Sequence, residues 1–214
     1  MIPPAMRKLT PELLDHLPPD SPGVARARCD LRRINFVMGN DRWILRHLPE
    51  KPTAITEIGA GEGLLLTSIS RKHPGISLAA YDLAPRPAAL PTSINWIQAD
   101  IFSQPPPQQG GVLIANLFLH HFTDTQLSKL SEWMSGFETI ITSEPFRARI
   151  PLLLAKAATP LIHPITRHDM RVSIEAGFRP GELPTALRLD QLGYRFRETA
   201  SHRGFIRMIA EKLR

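Results

Sequence analysis

The stretch "ITEIGAGEGLLLTSIS", residues 55–70, sets three glycines within five positions between two apolar runs, with a carboxylate, Glu57, just ahead of them. It predicts a strand ending at Ile58, a glycine-rich turn and a helix starting near Gly63. Glycine allows positive φ and lets the backbone approach a ligand closely, so this is a nucleotide- or phosphate-binding corner. Dinucleotide corners carry G-x-G-x-x-G, whereas the order here is Gly59-Ala60-Gly61-Glu62-Gly63-Leu64. Glu62 falls at the start of the helix, where a pyrophosphate would sit. A carboxylate there repels phosphate and tolerates a ligand with a positive centre.

The flanking sequence repeats the same alternation. "TAITEI", "GISLAAYD", "SINWIQAD", "GGVLIANLF" and "FETIITSE" are short β-rich runs, each ending near a polar or acidic residue. "GLLLTSISRKH" and "TDTQLSKLSEWMSG" have helical spacing between them. Strands alternating with helices predict an α/β fold with a mainly parallel sheet. "SQPPPQQGG" is a proline-rich connector. "GYRFRETA" and "RGFIRMIAEK", split at Ser201-His202, predict an antiparallel pair at the sheet edge, with Tyr194 and Phe196 facing inward and Arg195 and Arg197 outward.

Upstream, the first 22 residues form a leader with one short helix, "TPELLDHL", where Thr10 can cap and Pro11 can take the first helical position. "VARARCDLRRINFVMGN" has near-helical apolar spacing and a stop at Gly39-Asn40; "DRWILRHL" is another short helix. Residues 1–51 are therefore expected as a helical cap on a domain of 52–214. Within that domain, "RARIPLLLAKAATPLIHPITRHD" is too short to span a bilayer. It is either a buried helix or a lid, about 146–168, lining an apolar substrate pocket. "DMRVSIEAGF" and "PGELPTAL" follow as helices.

Composition narrows the function classes. The 214 residues suit one domain with a full core, and 43% hydrophobic against 21% charged residues is ordinary for a globular protein. One cysteine, Cys29, excludes an internal disulfide and fits a reducing compartment. The N-terminus lacks the apolar core of a signal peptide, and no transmembrane segment is present, so the expected location is cytoplasmic. The net charge of +6 comes from 20 arginines against 6 lysines, scattered singly or in pairs with acids between. Without a basic run or interleaved aromatics, that pattern is a solvated surface and argues against nucleic acid as partner.

Glu57-Ile-Gly59-Ala-Gly61-Glu-Gly63 resembles the first motif of class I S-adenosylmethionine-dependent methyltransferases, and the resemblance continues to the C-terminus. It implies a Rossmann-like three-layer sandwich with a seven-stranded, mainly parallel sheet and an antiparallel C-terminal strand. It also implies S-adenosyl-L-methionine as cofactor, held by Glu57, Gly59, Ala60, Gly61, Gly63, Asp82, Leu83, Asp100, Ile101 and Asn116. In this scheme Asp82 accepts from the ribose hydroxyls and Asp100 lies near the adenine amino group. Glu57 either fixes the glycine loop by accepting backbone N–H bonds or compensates the ligand's ammonium. "ANLFLHHF", residues 115–122, resembles the fourth-strand motif of small-molecule members. "HPITRHDMRVSIEAGFRPGEL" is similar to methyltransferases of polyketide and phenolic-lipid pathways.

A sulfonium methyl is already activated, so alignment and a dry pocket suffice unless the acceptor must lose a proton. For a phenol or enol acceptor, His120, His121 and His168 are the candidate general bases. His120 and His121 are adjacent and the sequence offers no third ligand at metal-like spacing, which argues against a metal site. The expected activity is methyl transfer to a small, fairly apolar acceptor such as a phenolic, quinone or polyketide-type molecule. An RNA or protein methyltransferase and a non-catalytic S-adenosylmethionine-binding protein stand as alternatives. The sequence leaves the acceptor and the oligomeric state open.

Overall fold

The β-rich runs all form strands. The computed structural model of the chain describes residues 3–18, 20–105, 110–201 and 203–213. The middle of the proline-rich connector and His202 of the C-terminal turn lie outside these. Strands β1 (Ala54–Ile58), β2 (Ser77–Asp82), β3 (Ile94–Gln98), β4 (Val112–Asn116), β5 (Thr139–Pro145), β6 (Tyr194–Ala200) and β7 (Phe205–Lys212) make one seven-stranded sheet. Its order is β3-β2-β1-β4-β5-β7-β6. β1 to β5 pair in parallel, and β7 inserts antiparallel between β5 and β6.

Both faces of the sheet are covered, which is why its central strands read as continuous apolar runs. On one face Leu113, Ala115, Ile140 and Met208 pack with Leu127, Leu130 and Met134 of α5 (Asp124–Met134) and Leu183 of α8 (Glu182–Ala186). On the other, Ile55, Ala80, Ile114 and Ile141 pack with Ile44 of α3 (Asn40–His47) and with Leu65, Leu66 and Ile69 of α4 (Leu64–Lys72). α5 starts with a full capping box, in which Thr123 accepts from the Gln126 N–H and the Gln126 side chain bonds back to Thr123 N.

The N-terminal leader runs back over the end of the sheet and contributes α1 (Leu13–His16). Thr10 does not cap that helix. The cap comes from a distant residue: the Asp169 carboxylate accepts from Leu13 N at 2.7 Å and Leu14 N at 3.1 Å. α2 (Val24–Met38) ends at Gly39, whose φ of 70° makes a left-handed stop as its sequence suggests. Buried Asp30 ties α2 to α7 (Pro164–Ala176) by accepting from His163 N at 2.7 Å.

The apolar segment after β5 does not form a buried helix. α6 (Arg149–Ala158) buries only Pro151 and Leu152. Ile150, Leu153 and Leu154 are at least half exposed. Apart from Arg149 and Lys156 the helix is apolar, but the described residues cover only one side of it. α7 begins at Pro164, five residues before the start of the run read as its helix, so His168 stands on α7. Among the described residues no helix is long and apolar enough to cross a membrane.

Candidate active site

The three glycines of the opening stretch are required for different reasons. Gly59, Gly61 and Gly63 have φ of 67°, 55° and 67°, a region that side chains rarely adopt. A Cβ on Gly59 would meet the Phe118 ring at 2.1 Å, and one on Gly63 would meet Leu90 at 2.4 Å. The protein itself fills those two approaches. Only Gly61 faces open space, with nothing within 4 Å of its Cβ position. Ala60 between them is buried. The corner therefore leaves one bare backbone surface, at Gly61, for a ligand.

Asp82, at the end of β2, accepts from Gly61 N at 2.7 Å and from Ala84 N at 2.8 Å. It thus fixes the glycine loop, a task the sequence suggested for Glu57. Glu57 is buried instead, and its Oε2 has no hydrogen-bond partner. Burial pushes its pKa well above the carboxylate range, and the nearby charges of Asp41 and Asp82 push in the same direction. Asn116, at the end of β4, donates to Asp41 Oδ1 at 3.1 Å and leaves its own Oδ1 unpartnered.

Asp41 was missed by sequence reasoning, because an acid in the first turn of α3 looks like an ordinary helix start. Tertiary packing sets it beside Asn116 and close enough to raise the pKa of Glu57. Glu57, Asp41 and Asp82 together make the glycine corner an acidic one. Leu83 is exposed, Asp100 caps the short turn Ile101–Ser103 by accepting from Phe102 N at 3.0 Å, and Ile101 is buried. Glu62, by contrast, points outward and pairs with Arg32 at 2.9 Å. Its repulsion of a pyrophosphate is thus partly offset.

The three candidate bases lie in different environments. His120 is buried in the turn after β4, with Nδ1 2.8 Å from Glu144 Oε2 and Nε2 3.4 Å from Glu12 Oε1. Burial lowers its pKa, but hydrogen bonds to Glu12 and Glu144 outweigh that and hold it at about 9. Glu144 also accepts from the backbone of Phe118 at 3.0 Å, Leu119 at 2.9 Å and His120 at 3.3 Å. It is the buried anchor of the whole turn, and the sequence marked it only as a strand end. His121 packs its ring against His120, centroids 4.2 Å apart; burial and the neighbouring His120 charge lower its pKa to about 4. His168 places Nδ1 3.0 Å from Asp169 Oδ1, with the side chain about a third exposed.

A cavity of about 320 Å³ opens between the leader, α7 and this turn, lined by Glu12, Asp15, His120, His121, Val172 and Ser173 among others. Arg7 ties the leader to this turn and to α7. Its guanidinium donates to the carbonyls of His120, Phe122 and Ala176 and stacks on Phe178 at 4.1 Å.

The sheet order and the glycine corner define the class I methyltransferase fold. No protein-family model and no curated protein matches the sequence. Solved structures do match in fold. The plantazolicin methyltransferase BamL, in complex with a triazolic desmethylPZN analog and SAH, superposes with a TM-score of 0.72 at 10% identity over 91% of this chain and 92% of that one. Human N-acetylserotonin methyltransferase in complex with SAM gives 0.59 at 21% identity, covering 92% of this chain and 60% of that. Magnesium protoporphyrin IX methyltransferase from Synechocystis with bound SAH gives 0.54 at 15% identity, over 94% and 91%.

Proposed function

We propose that the protein transfers the methyl group of S-adenosylmethionine to a small, fairly apolar acceptor of phenolic, quinone or polyketide type. The observation that carries this reading is the buried, unpartnered carboxylate oxygen of Glu57 at the end of β1, which leads into a glycine corner whose Gly61 backbone is bare. An orphaned buried acceptor is costly unless a ligand satisfies it, and a cationic ligand satisfies it best. S-adenosylmethionine brings both an ammonium and a sulfonium. Asp41, Asn116 and Glu57 would hold its amino-acid end, while Asp82, Leu83, Asp100 and Ile101 line the strand ends where the nucleoside would lie. The solved neighbours support this cofactor, since their complexes contain it or its demethylated product.

The protein's own contribution to the reaction is alignment, exclusion of water and, for an acceptor that must ionise, a base. His120 is an imidazolium at neutral pH and has no lone pair to offer. His168 has an edge free and its Nδ1 held by Asp169, so it is assigned as the base for a hydroxyl acceptor. The exposed stripe Ile150, Leu153 and Leu154 supports α6 as the lid over an apolar acceptor. His168→Ala is expected to slow methyl transfer to such an acceptor by roughly 10²–10⁴-fold with cofactor affinity unchanged. Wild-type turnover would mean that alignment alone suffices.

Calorimetric titration with S-adenosylmethionine, S-adenosylhomocysteine and NAD tests the assignment as a whole. The first two are expected to bind and NAD is not. Tight NAD binding, or no binding of either sulfur ligand, overturns it.

A further inference from the structure

We infer that Glu12, His120 and His121 form a binding site for a divalent transition-metal ion of the zinc type, opening on the cavity beneath the leader. The three side chains come from the leader and from the turn after β4, and one ligand atom from each lies within 4.8 Å of the others. Sequence spacing could not reveal this group, because 108 residues separate Glu12 from His120.

The geometry around His120 is that of a metal ligand with its outer partner in place. Glu144 Oε2 at 2.8 Å fixes a proton on Nδ1 and points Nε2 at Glu12. Metal-bound histidines almost always have such a carboxylate or carbonyl behind them. Glu144 is itself immobilised by three backbone N–H groups, so the ring cannot rotate away. Nε2 and Glu12 Oε1 are 3.4 Å apart. Two atoms at that separation, each about 2.05 Å from a shared ion, subtend roughly 110° at it, the tetrahedral angle.

An ion seated there takes the place of the proton that Nε2 shares with Glu12, and that proton leaves to solvent. His121 supplies the third ligand by a small movement of its partly exposed ring, which already lies against His120. The fourth position faces the cavity, as in sites that keep one place for water or an incoming oxygen. Two imidazoles and one carboxylate suit zinc or cobalt better than the all-oxygen shells of magnesium and calcium.

The test uses the untagged full chain, stripped with chelator and titrated with Zn²⁺ by calorimetry and with Co²⁺ by visible absorption. One saturable site and the intense ligand-field bands of tetrahedral Co²⁺ are expected. His121→Ala and Glu12→Gln, each checked for an unchanged fold by circular dichroism, should weaken Zn²⁺ binding more than the roughly 10–100-fold that loss of an outer partner costs. No saturable binding overturns the site, as does binding that both variants retain. Because metal titration is independent of cofactor titration, failure here leaves the methyltransferase reading standing, and the reverse also holds.

Discussion

Asp82 and Glu57 exchange the duties that their positions suggest, and each exchange has a measurable consequence. Asp82 both shapes the glycine loop, through Gly61 N and Ala84 N, and stands at the strand end where the ribose would sit. Asp82→Ala is expected to weaken S-adenosylmethionine binding by about 1.5–3 kcal/mol, the scale of a lost charged hydrogen bond, while the protein stays folded. Unchanged affinity in calorimetry would remove Asp82 from the site. Glu57 carries the opposite signature. Its pKa is raised in the folded state, so the folded form holds the proton more tightly than the unfolded chain. Stability of the ligand-free protein therefore falls as pH rises above the ordinary carboxylate value toward the raised one. Glu57→Gln should flatten that slope, stabilise the free protein by roughly 1–3 kcal/mol at pH 8, and weaken cofactor binding. Thermal melts at pH 5 and pH 8 check the first two effects. A variant that is less stable than wild type at pH 8 would show that the carboxylate is satisfied after all.

At the scale of elements, α6 is the segment whose environment least resembles its composition. Its outward stripe recurs at positions 150, 153 and 154, the spacing of one helical face. Those side chains contribute little to the fold, so replacing them isolates any functional part. Leu153→Ser combined with Leu154→Ser should leave the melting temperature nearly unchanged, since exposed substitutions usually fall within about 0.5 kcal/mol. The same variant should raise KM for an apolar acceptor severalfold without altering cofactor affinity. Steady-state kinetics with unchanged KM would separate α6 from the acceptor pocket.

For the whole molecule, Arg147 joins several distant parts. Fully buried two residues past the end of β5, it donates from Nη1 to Gly177 O at 2.7 Å and to Glu182 Oε2 at 3.0 Å. It also reaches the leader carbonyls of Pro4 and Ala5. The leader, the end of α7 and α8 thus share one guanidinium. Arg147→Ala leaves three carbonyls and a carboxylate without their donor. Glu182 is partly exposed, which discounts the charge left behind. The expected cost is therefore at the low end for a broken buried pair, about 3 kcal/mol by urea unfolding. A loss below about 1 kcal/mol would show that leader and body are joined elsewhere, for instance through Arg7.

The amino-acid sequence by itself determined the strand–helix alternation, the glycine corner and the antiparallel C-terminal pair, because periodicity and backbone permissiveness are local properties. It marked Asp82 and Asp100 at strand ends for the same reason. Tertiary structure alone decided which acid holds the loop and which keeps an unpartnered oxygen, since burial and hydrogen bonding depend on residues far apart in the chain. It also brought Asp41 to Asn116, Glu144 under the histidine turn, Asp169 to the start of α1 and Glu12 to His120. The exposure of α6 belongs to this second group. An apolar run states that a helix seeks cover, but only the packing of the remaining chain decides whether cover is there.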